Sequence, residues 1–376
     1  MDKITSQNRI IALDVFRGLT LALMIVVNMP GTWSNVYAPL LHAQWHGCTL
    51  TDLVFPFFLF IVGAAMRFAF EKYDMCLNKK LFHKTLNRGI TIFIIGLMLN
   101  AFPFIRQDWD WSSLRIMGVL QRIGICYFIA SIIVLKNDIK AIAKIIISLL
   151  FGYWFIMEGF GYIIKVDPYS LNSNAVLTLD KLIIGQNHLY KGTGIPFDPE
   201  GLLSTIPSIA TTLIGFLVGT MITANKEKLD NCKRMLILGS ALTFLGWIWG
   251  LIMPINKQLW TSSYVLFTAG IAIIILALTI WMIDIKKYQS ISSPFTVLGA
   301  NSIFLFILSG LWTKTMLSIR LAFNGLEISG YSYLYQTIFL PFFSKPTSSL
   351  LFAVFHLGVF WLILYWMYRK KIFIKI

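Results

Sequence analysis

Charge is what this sequence has least of. Only 13% of its 376 residues are Asp, Glu, Lys or Arg, about half the share of a soluble domain. The shortfall runs the whole length, with 57% hydrophobic residues and a mean hydropathy of +0.72. That excludes a soluble domain on a single anchor and indicates a polytopic membrane protein. Cysteine is scarce: Cys48, Cys76, Cys126 and Cys232 are scattered with no CxxC, so neither a disulfide framework nor a zinc signature is encoded. Cys48 reads as a buried structural thiol. No internal repeat, low-complexity segment or broken-helix pair is apparent, which weighs against the commonest transporter architecture. A cleavable leader is not expected either. The opening MDKITSQNR runs into a span too long for a signal-peptide core and without a small-residue cleavage site.

Long apolar runs are abundant. They predict an all-α, polytopic helical bundle of about ten transmembrane helices, forming one unit over residues 1–376. Their approximate limits are 11–29, 51–71, 88–105, 116–135, 142–164, 203–224, 234–253, 262–284, 294–313 and 348–368, each long enough for about 30 Å of hydrocarbon. Acids are fewer than bases, 17 against 32, but the excess sits at span ends, which argues for membrane topology and against nucleic acid. Alternate connecting segments hold 21 Lys and Arg on one side and 9 on the other, which predicts both termini in the cytoplasm. Two long outer loops are expected, about 165–202 and 314–347. KGTGIPFDPEG in the first reads as an ordered turn, not a helix. Either loop suits a sugar-like ligand or a simple lid.

Ionisable groups in or near hydrocarbon are costly, so they are candidates for function. The first span opens with Arg9, Asp14 and Arg17, which serve as an interfacial anchor or clamp an anionic ligand. It ends at Asn28, a helix-end polar group that could also donate to a developing oxyanion. Next comes HAQWHGCTLTDLVFPFF, residues 42–58. His42 and His46 would share a face if this stretch were helical, but it lacks HExxH, so no metal is expected. A His–carboxylate pair fits better: Asp52 would hold one nitrogen of His42 protonated and leave the other free as base or nucleophile. The alternative is a pair that merely ties the loop to the bundle. Gln121 and Arg122 lie inside the fourth span, where the arginine needs an anionic partner such as Asp14, Glu158 or a ligand. Asn301 and Ser302 lie in the ninth. His356 reads as core with one hydrogen bond, His83 as solvated, and His188 has no obvious partner.

LDVFRGLTLALMIVVN, HAQWHGCTLTDLVFPFFLFIVG, GVLQRIGICYF, PFDPEGLLSTIPSIATTLIG, GANSIF and YRKKIFIKI together resemble the heparan-α-glucosaminide N-acetyltransferase family. The resemblance runs from about residue 9 to the end, and the chain is similar to bacterial members without the large extracytoplasmic N-terminal domain of the lysosomal enzyme. It implies a transmembrane acyltransferase of the bacterial inner membrane, with a homodimer as the expected assembly. Such an enzyme passes the acetyl group of cytosolic acetyl-CoA, its co-substrate, to the amine of a glucosamine-type sugar on the far side. The H-A-x-W-x-G-x-T pattern puts the family's histidine on His42, its aspartate on Asp52 and its helix-ending asparagine on Asn28. The stretch between Asn28 and His42 is a few residues longer than in the lysosomal enzyme. Arg9 and Arg17 are expected at the nucleotide phosphates, and Gln121, Arg122, Asn301 and Ser302 along the pantetheine arm. The rival class is a transporter of amino sugars or cell-wall fragments.

Overall fold

The computed structural model describes residues 11–103, 110–224 and 227–374; Arg9 lies outside them. The bundle is built from α1 (Ile11–Asn28), α2 (Val54–Glu71), α3 (Lys79–Ala101), α4 (Val119–Lys136), α5 (Ile139–Ile164), α6 (Ala175–Ile183) and α7 (Thr205–Ala224). It continues with α8 (Lys228–Trp249), α9 (Ser262–Ile280), α10 (Gln289–Ala300), α11 (Ser302–Ser318), α12 (Gly330–Leu334) and α13 (Lys345–Arg369). Among the described residues, seven helices are long and apolar enough to cross a membrane, or eight if the bent α10–α11 pair forms one span. Helices α3 and α8 have 23 and 22 residues, but Lys79, Lys80, Lys84 and Arg88, and Lys228, Asp230, Lys233 and Arg234, crowd their opening turns. That charge keeps both out of the set, so the count falls short of the ten expected.

Lipid offers helices no hydrophobic drive to associate, so close backbone approach has to supply dispersion contacts. The α2–α7 pair is built that way. A Cβ on Gly63 would overlap the Thr212 carbonyl, and one on Gly215 the Phe60 carbonyl. Helix α1 meets α10 likewise, through Gly18 against Phe295 and Gly299 against Asp14. These two pairs place α1, α2 and α10 side by side around the site described below.

Three features depart from the sequence expectation. The ninth span is not continuous: α10 and α11 meet at an angle of 77°. Asn301 sits at the corner with φ −127° and ψ 51°, outside the helical region. The chain is not wholly helical: β1 (Arg320–Phe323) and β2 (Leu326–Ser329) form an antiparallel hairpin turned by Asn324–Gly325, both at positive φ. Residues 41–50 form irregular backbone, so His42 and His46 do not share a helix face. The proline- and glycine-rich 191–201 stretch is non-helical, as its composition predicts.

Candidate active site

The 42–52 stretch is folded by its own polar groups. Thr49 donates its hydroxyl to the Leu41 carbonyl at 2.6 Å, closing the loop on itself. Asp52, 1% exposed, is the hub. Its Oδ2 accepts from the Ala43 and Thr49 amides, each at 3.0 Å. Its Oδ1 lies 2.6 Å from His42 Nδ1. Two backbone amides on one oxygen and an imidazole on the other fix the carboxylate in place. Tyr264 of α9 donates to the Asp52 carbonyl at 2.5 Å, anchoring the same residue to the bundle. His42 is half-exposed, and its Nε2, not held by Asp52, has open space on one side and the Lys257 ammonium at 3.4 Å on another.

That space is a cavity of about 1270 Å³ running through the bundle. At one end stand Arg17, Lys80, His83, Lys84, Asn87 and Arg88; Val27, Phe58, Ile61, Val62 and Ile123 line its middle; Asn28, His42, Lys257, Gln258 and Glu200 form the other end. Arg17 and Asn28 are eleven residues apart on α1, about 16 Å along its axis. A basic mouth, an apolar passage and a polar chamber thus follow one another. A slender, mostly uncharged chain with an anionic tail matches all three zones.

The basic mouth is drawn from three elements. Arg17 keeps Asp14 at 3.2 Å and also lines the cavity. On α3, positions 80, 84, 87, 88 and 91 recur at helical spacing and share one face. Arg88 packs its guanidinium over the Tyr127 ring at 4.7 Å. Ser302 opens α11 beside Arg17, so the helix start adds backbone donors and a positive dipole end to the mouth. His83, expected to be merely solvated, lines this mouth.

The other assigned residues fall into two groups. Asn28 and Ser302 line the cavity, and Asn28 makes no side-chain hydrogen bond among the described residues. Gln121, Arg122 and Asn301, expected along the pantetheine arm, are buried and off the cavity wall. Gln121 donates to the Ile116 carbonyl at 2.9 Å. Arg122 donates to the Gly201 carbonyl at 3.0 Å and to the Ser204 hydroxyl, with its guanidinium 5.2 Å from the Trp260 ring centre. Its partners are therefore a carbonyl, a hydroxyl and a ring, not Asp14 or Glu158. Glu158 accepts instead from Tyr169 at 2.7 Å and Trp154 at 3.2 Å. Asn301 pins the C-terminal segment, donating to the Ile372 carbonyl at 3.0 Å and accepting from the Ile374 amide at 2.8 Å.

Several site residues carry no local signal. Lys257 lies 3.4 Å from both ring nitrogens of His42. It gets there because Gly47, at φ +110°, donates its amide to the Ile255 carbonyl at 2.7 Å, and Asn256 donates to the Trp45 carbonyl at 2.8 Å. A Cβ-bearing residue is strained at the Gly47 backbone angle. Glu200 comes from the PFDPEG turn and is held by Arg115 at 2.5 Å, which also grips Asp198 at 2.7 and 2.9 Å. The two carboxylates keep the Arg115 guanidinium firmly charged. On α6, Asp180 accepts from the Leu202 amide at 2.9 Å, and burial pushes its carboxyl up to about 7. Only the α3 face had a readable signal, its basic helical spacing.

Three other expectations have structural answers. Cys48 is only half-buried, and burial pushes its thiol up to about 12. His188 does have a partner: its Nδ1 meets the Leu114 carbonyl at 2.7 Å. His356 is core, with Nδ1 on the Phe352 carbonyl at 2.8 Å. No cluster of three or more His, Cys, Asp or Glu suited to a metal occurs among the described residues.

The family model described as heparan-alpha-glucosaminide N-acetyltransferase, catalytic, matches residues 9–253. The heparan-alpha-glucosaminide N-acetyltransferase of Mus musculus is 28% identical over 355 residues, covering 81% of this chain and 53% of its own. That of Homo sapiens is 28% identical over 351 residues, covering 80% and 52%. The chain thus spans about half the length of these curated relatives. With well over half of its residues matched by the family model, and the His42–Asp52 loop inside the matched region, this chain belongs to the heparan-α-glucosaminide N-acetyltransferase catalytic family.

Proposed function

We propose that this protein transfers the acetyl group of acetyl-CoA to the amine of a glucosamine-type sugar, with donor and acceptor entering from opposite ends of the bundle. The observation that carries the reading is the one cavity joining a basic mouth to the His42–Asp52 pair. The residues present suit acetyl-CoA. Arg17, Lys80, Lys84 and Arg88 would take its phosphates, and the apolar passage its pantetheine arm, bringing the thioester to His42. The basic mouth then faces the cytoplasm, where acetyl-CoA is made, and both termini lie on that side of a bacterial inner membrane.

His42 Nε2 handles the acyl step, either attacking the thioester itself or taking the proton of the attacking amine. Asp52 holds Nδ1–H, so that the lone pair stays on Nε2 and faces the cavity. Asn28 is free to donate its amide hydrogens to the carbonyl oxygen as it gains charge. Labelled acetyl-CoA without sugar separates the two routes. Label trapped on the His42 peptide identifies the covalent one; intersecting initial-rate plots with no trapped label identify the ternary complex.

Purified protein in detergent tests the reading. Acetyl-CoA and glucosamine should yield N-acetylglucosamine with no sealed compartment present. One observation favours the rival transporter reading: the 77° break at Asn301 is of a kind that transporters use. Glucosamine uptake by proteoliposomes without acetyl-CoA, together with no acetyl transfer in detergent, would decide for transport.

Arg17 gives a donor-side prediction. Arg17→Gln is expected to raise KM for acetyl-CoA about tenfold, near 1.4 kcal/mol, leaving kcat within about twofold. The wild-type KM should rise with ionic strength, because the mouth is partly exposed and salt screens it. A salt-independent KM, or a fall in kcat instead, would move the phosphates elsewhere.

A further inference from the structure

We propose that Lys257 is a catalytic residue: its side-chain ammonium donates to the carbonyl oxygen of the acetyl group as that oxygen takes on negative charge beside His42. This rests on the acetyl-transfer reading and deepens it.

The geometry is specific. Nζ stands 3.4 Å from Nδ1 and 3.4 Å from Nε2 of His42. An atom this near and equidistant from both nitrogens lies against the imidazole, on the plane that bisects it between them. Nδ1 is already committed to Asp52 at 2.6 Å, so the ammonium does not compete for that bond. A carbonyl carbon approaching Nε2 would bring its oxygen within reach of Nζ, with Asn28 also on the cavity wall. Two donors on one oxygen make the arrangement that acyl transfer needs. Lys257 lines the same chamber as Glu200 and Gln258, and the loop bonds between residues 45–47 and 255–256 fix its backbone.

The charged groups around Lys257 come from three other elements. The 42–52 stretch contributes His42, Asp52 and Cys48; the 198–204 turn contributes Glu200, itself gripped by Arg115; and α4 contributes Arg122. The carboxylates favour the ammonium, and Arg122 opposes it. Burial opposes it more, holding Lys257 below the ordinary lysine range. The ammonium must persist for a second reason. A neutral amine beside an activated acetyl group would capture it as a stable amide.

The step balances without any further reactant. A nitrogen lone pair forms a bond to the thioester carbon, and the carbonyl π pair moves to oxygen, where Lys257 and Asn28 meet it. The C=O bond then re-forms and the C–S bond breaks, its pair leaving on sulfur. Over the whole transfer the amine loses one proton and the thiolate gains one. Lys257 ends in the protonation state in which it began.

Lys257→Met and Lys257→Arg, purified in detergent and assayed with acetyl-CoA and glucosamine, test this. Lys257→Met should lose about 10²- to 10³-fold in kcat, keep KM for acetyl-CoA within about threefold, and bind coenzyme A as wild type does, which shows that it folds. The pH profile gives a signature that a structural role would not. The active form of Lys257 is the protonated one, so wild-type kcat should fall as pH rises through its lowered pKa, short of the ordinary value of 10.5. Lys257→Arg stays charged at every working pH, so it should recover part of kcat and lose that alkaline limb. Wild-type transfer with Lys257→Met within threefold of it, or an unchanged alkaline limb in Lys257→Arg, overturns the inference and leaves the acetyl-transfer reading intact. A wild type that binds coenzyme A but acetylates no amine overturns both.

Discussion

Replacing His42 with alanine is expected to abolish acetyl transfer, by at least about 10⁴-fold in kcat, while coenzyme A still binds. The reason lies in the separation of the two ends of the cavity. On the proposed reading, donor phosphates sit at the mouth formed by Arg17, Lys80, Lys84 and Arg88, whereas the imidazole stands in the far chamber with Asn28 and Lys257. Removing the imidazole leaves the mouth untouched. It also leaves the loop closed, because Asp52 Oδ2 holds the Ala43 and Thr49 amides without help from His42. Titration of coenzyme A by calorimetry, alongside turnover with glucosamine, checks both halves. Near-normal turnover in His42→Ala would mean that the chemistry happens elsewhere in the cavity.

Asp52→Asn should be nearly as damaging, at about 10³- to 10⁴-fold in kcat, and for a more particular reason. In the wild type, one carboxylate oxygen accepts two backbone amides at 3.0 Å and the other meets His42 Nδ1 at 2.6 Å. An asparagine has a single acceptor oxygen. The two backbone amides claim it, because leaving them unpaired in a buried loop is costly. The amide nitrogen is then turned towards His42 and donates to Nδ1. That drives the imidazole proton to Nε2, where the lone pair is needed. The fold should survive, since shape and hydrogen-bond count are preserved. Thermal unfolding within a few degrees of wild type, with kcat collapsed and KM for acetyl-CoA little changed, is the expected pattern. Wild-type turnover in Asp52→Asn would reduce Asp52 to a loop anchor.

The site was legible in the sequence where its chemistry is local. His42 and Asp52 are ten residues apart, and the polar loop between them has few ways to close, so their proximity could be read from one stretch. Arg17 and Asn28 lie on one helix, and their separation along it follows from helical geometry. Gln121 and Arg122 looked the same by that standard, since polar groups inside an apolar helix stand out. The sequence does not say which way such groups face. Arg122 turns to the Gly201 carbonyl and the Trp260 ring instead of the cavity, and Asn301 spends both ends of its amide on the C-terminal segment. A buried polar group needs partners, and it takes whichever the packing offers.

Composition and apolar periodicity by themselves determined that this chain is a polytopic helical bundle, because hydrocarbon leaves a spanning backbone few alternatives. The 42–52 motif determined that a His–carboxylate pair stands at one end of it. Tertiary structure alone decided that Lys257 stands against His42 across 215 residues of chain. It also decided that a face of α3 completes the basic mouth, that the ninth span breaks at Asn301, and that one cavity joins the two ends. These depend on how helices far apart in sequence pack. Packing is set by close contacts such as Gly63 on the Thr212 carbonyl, whose partners no local pattern names.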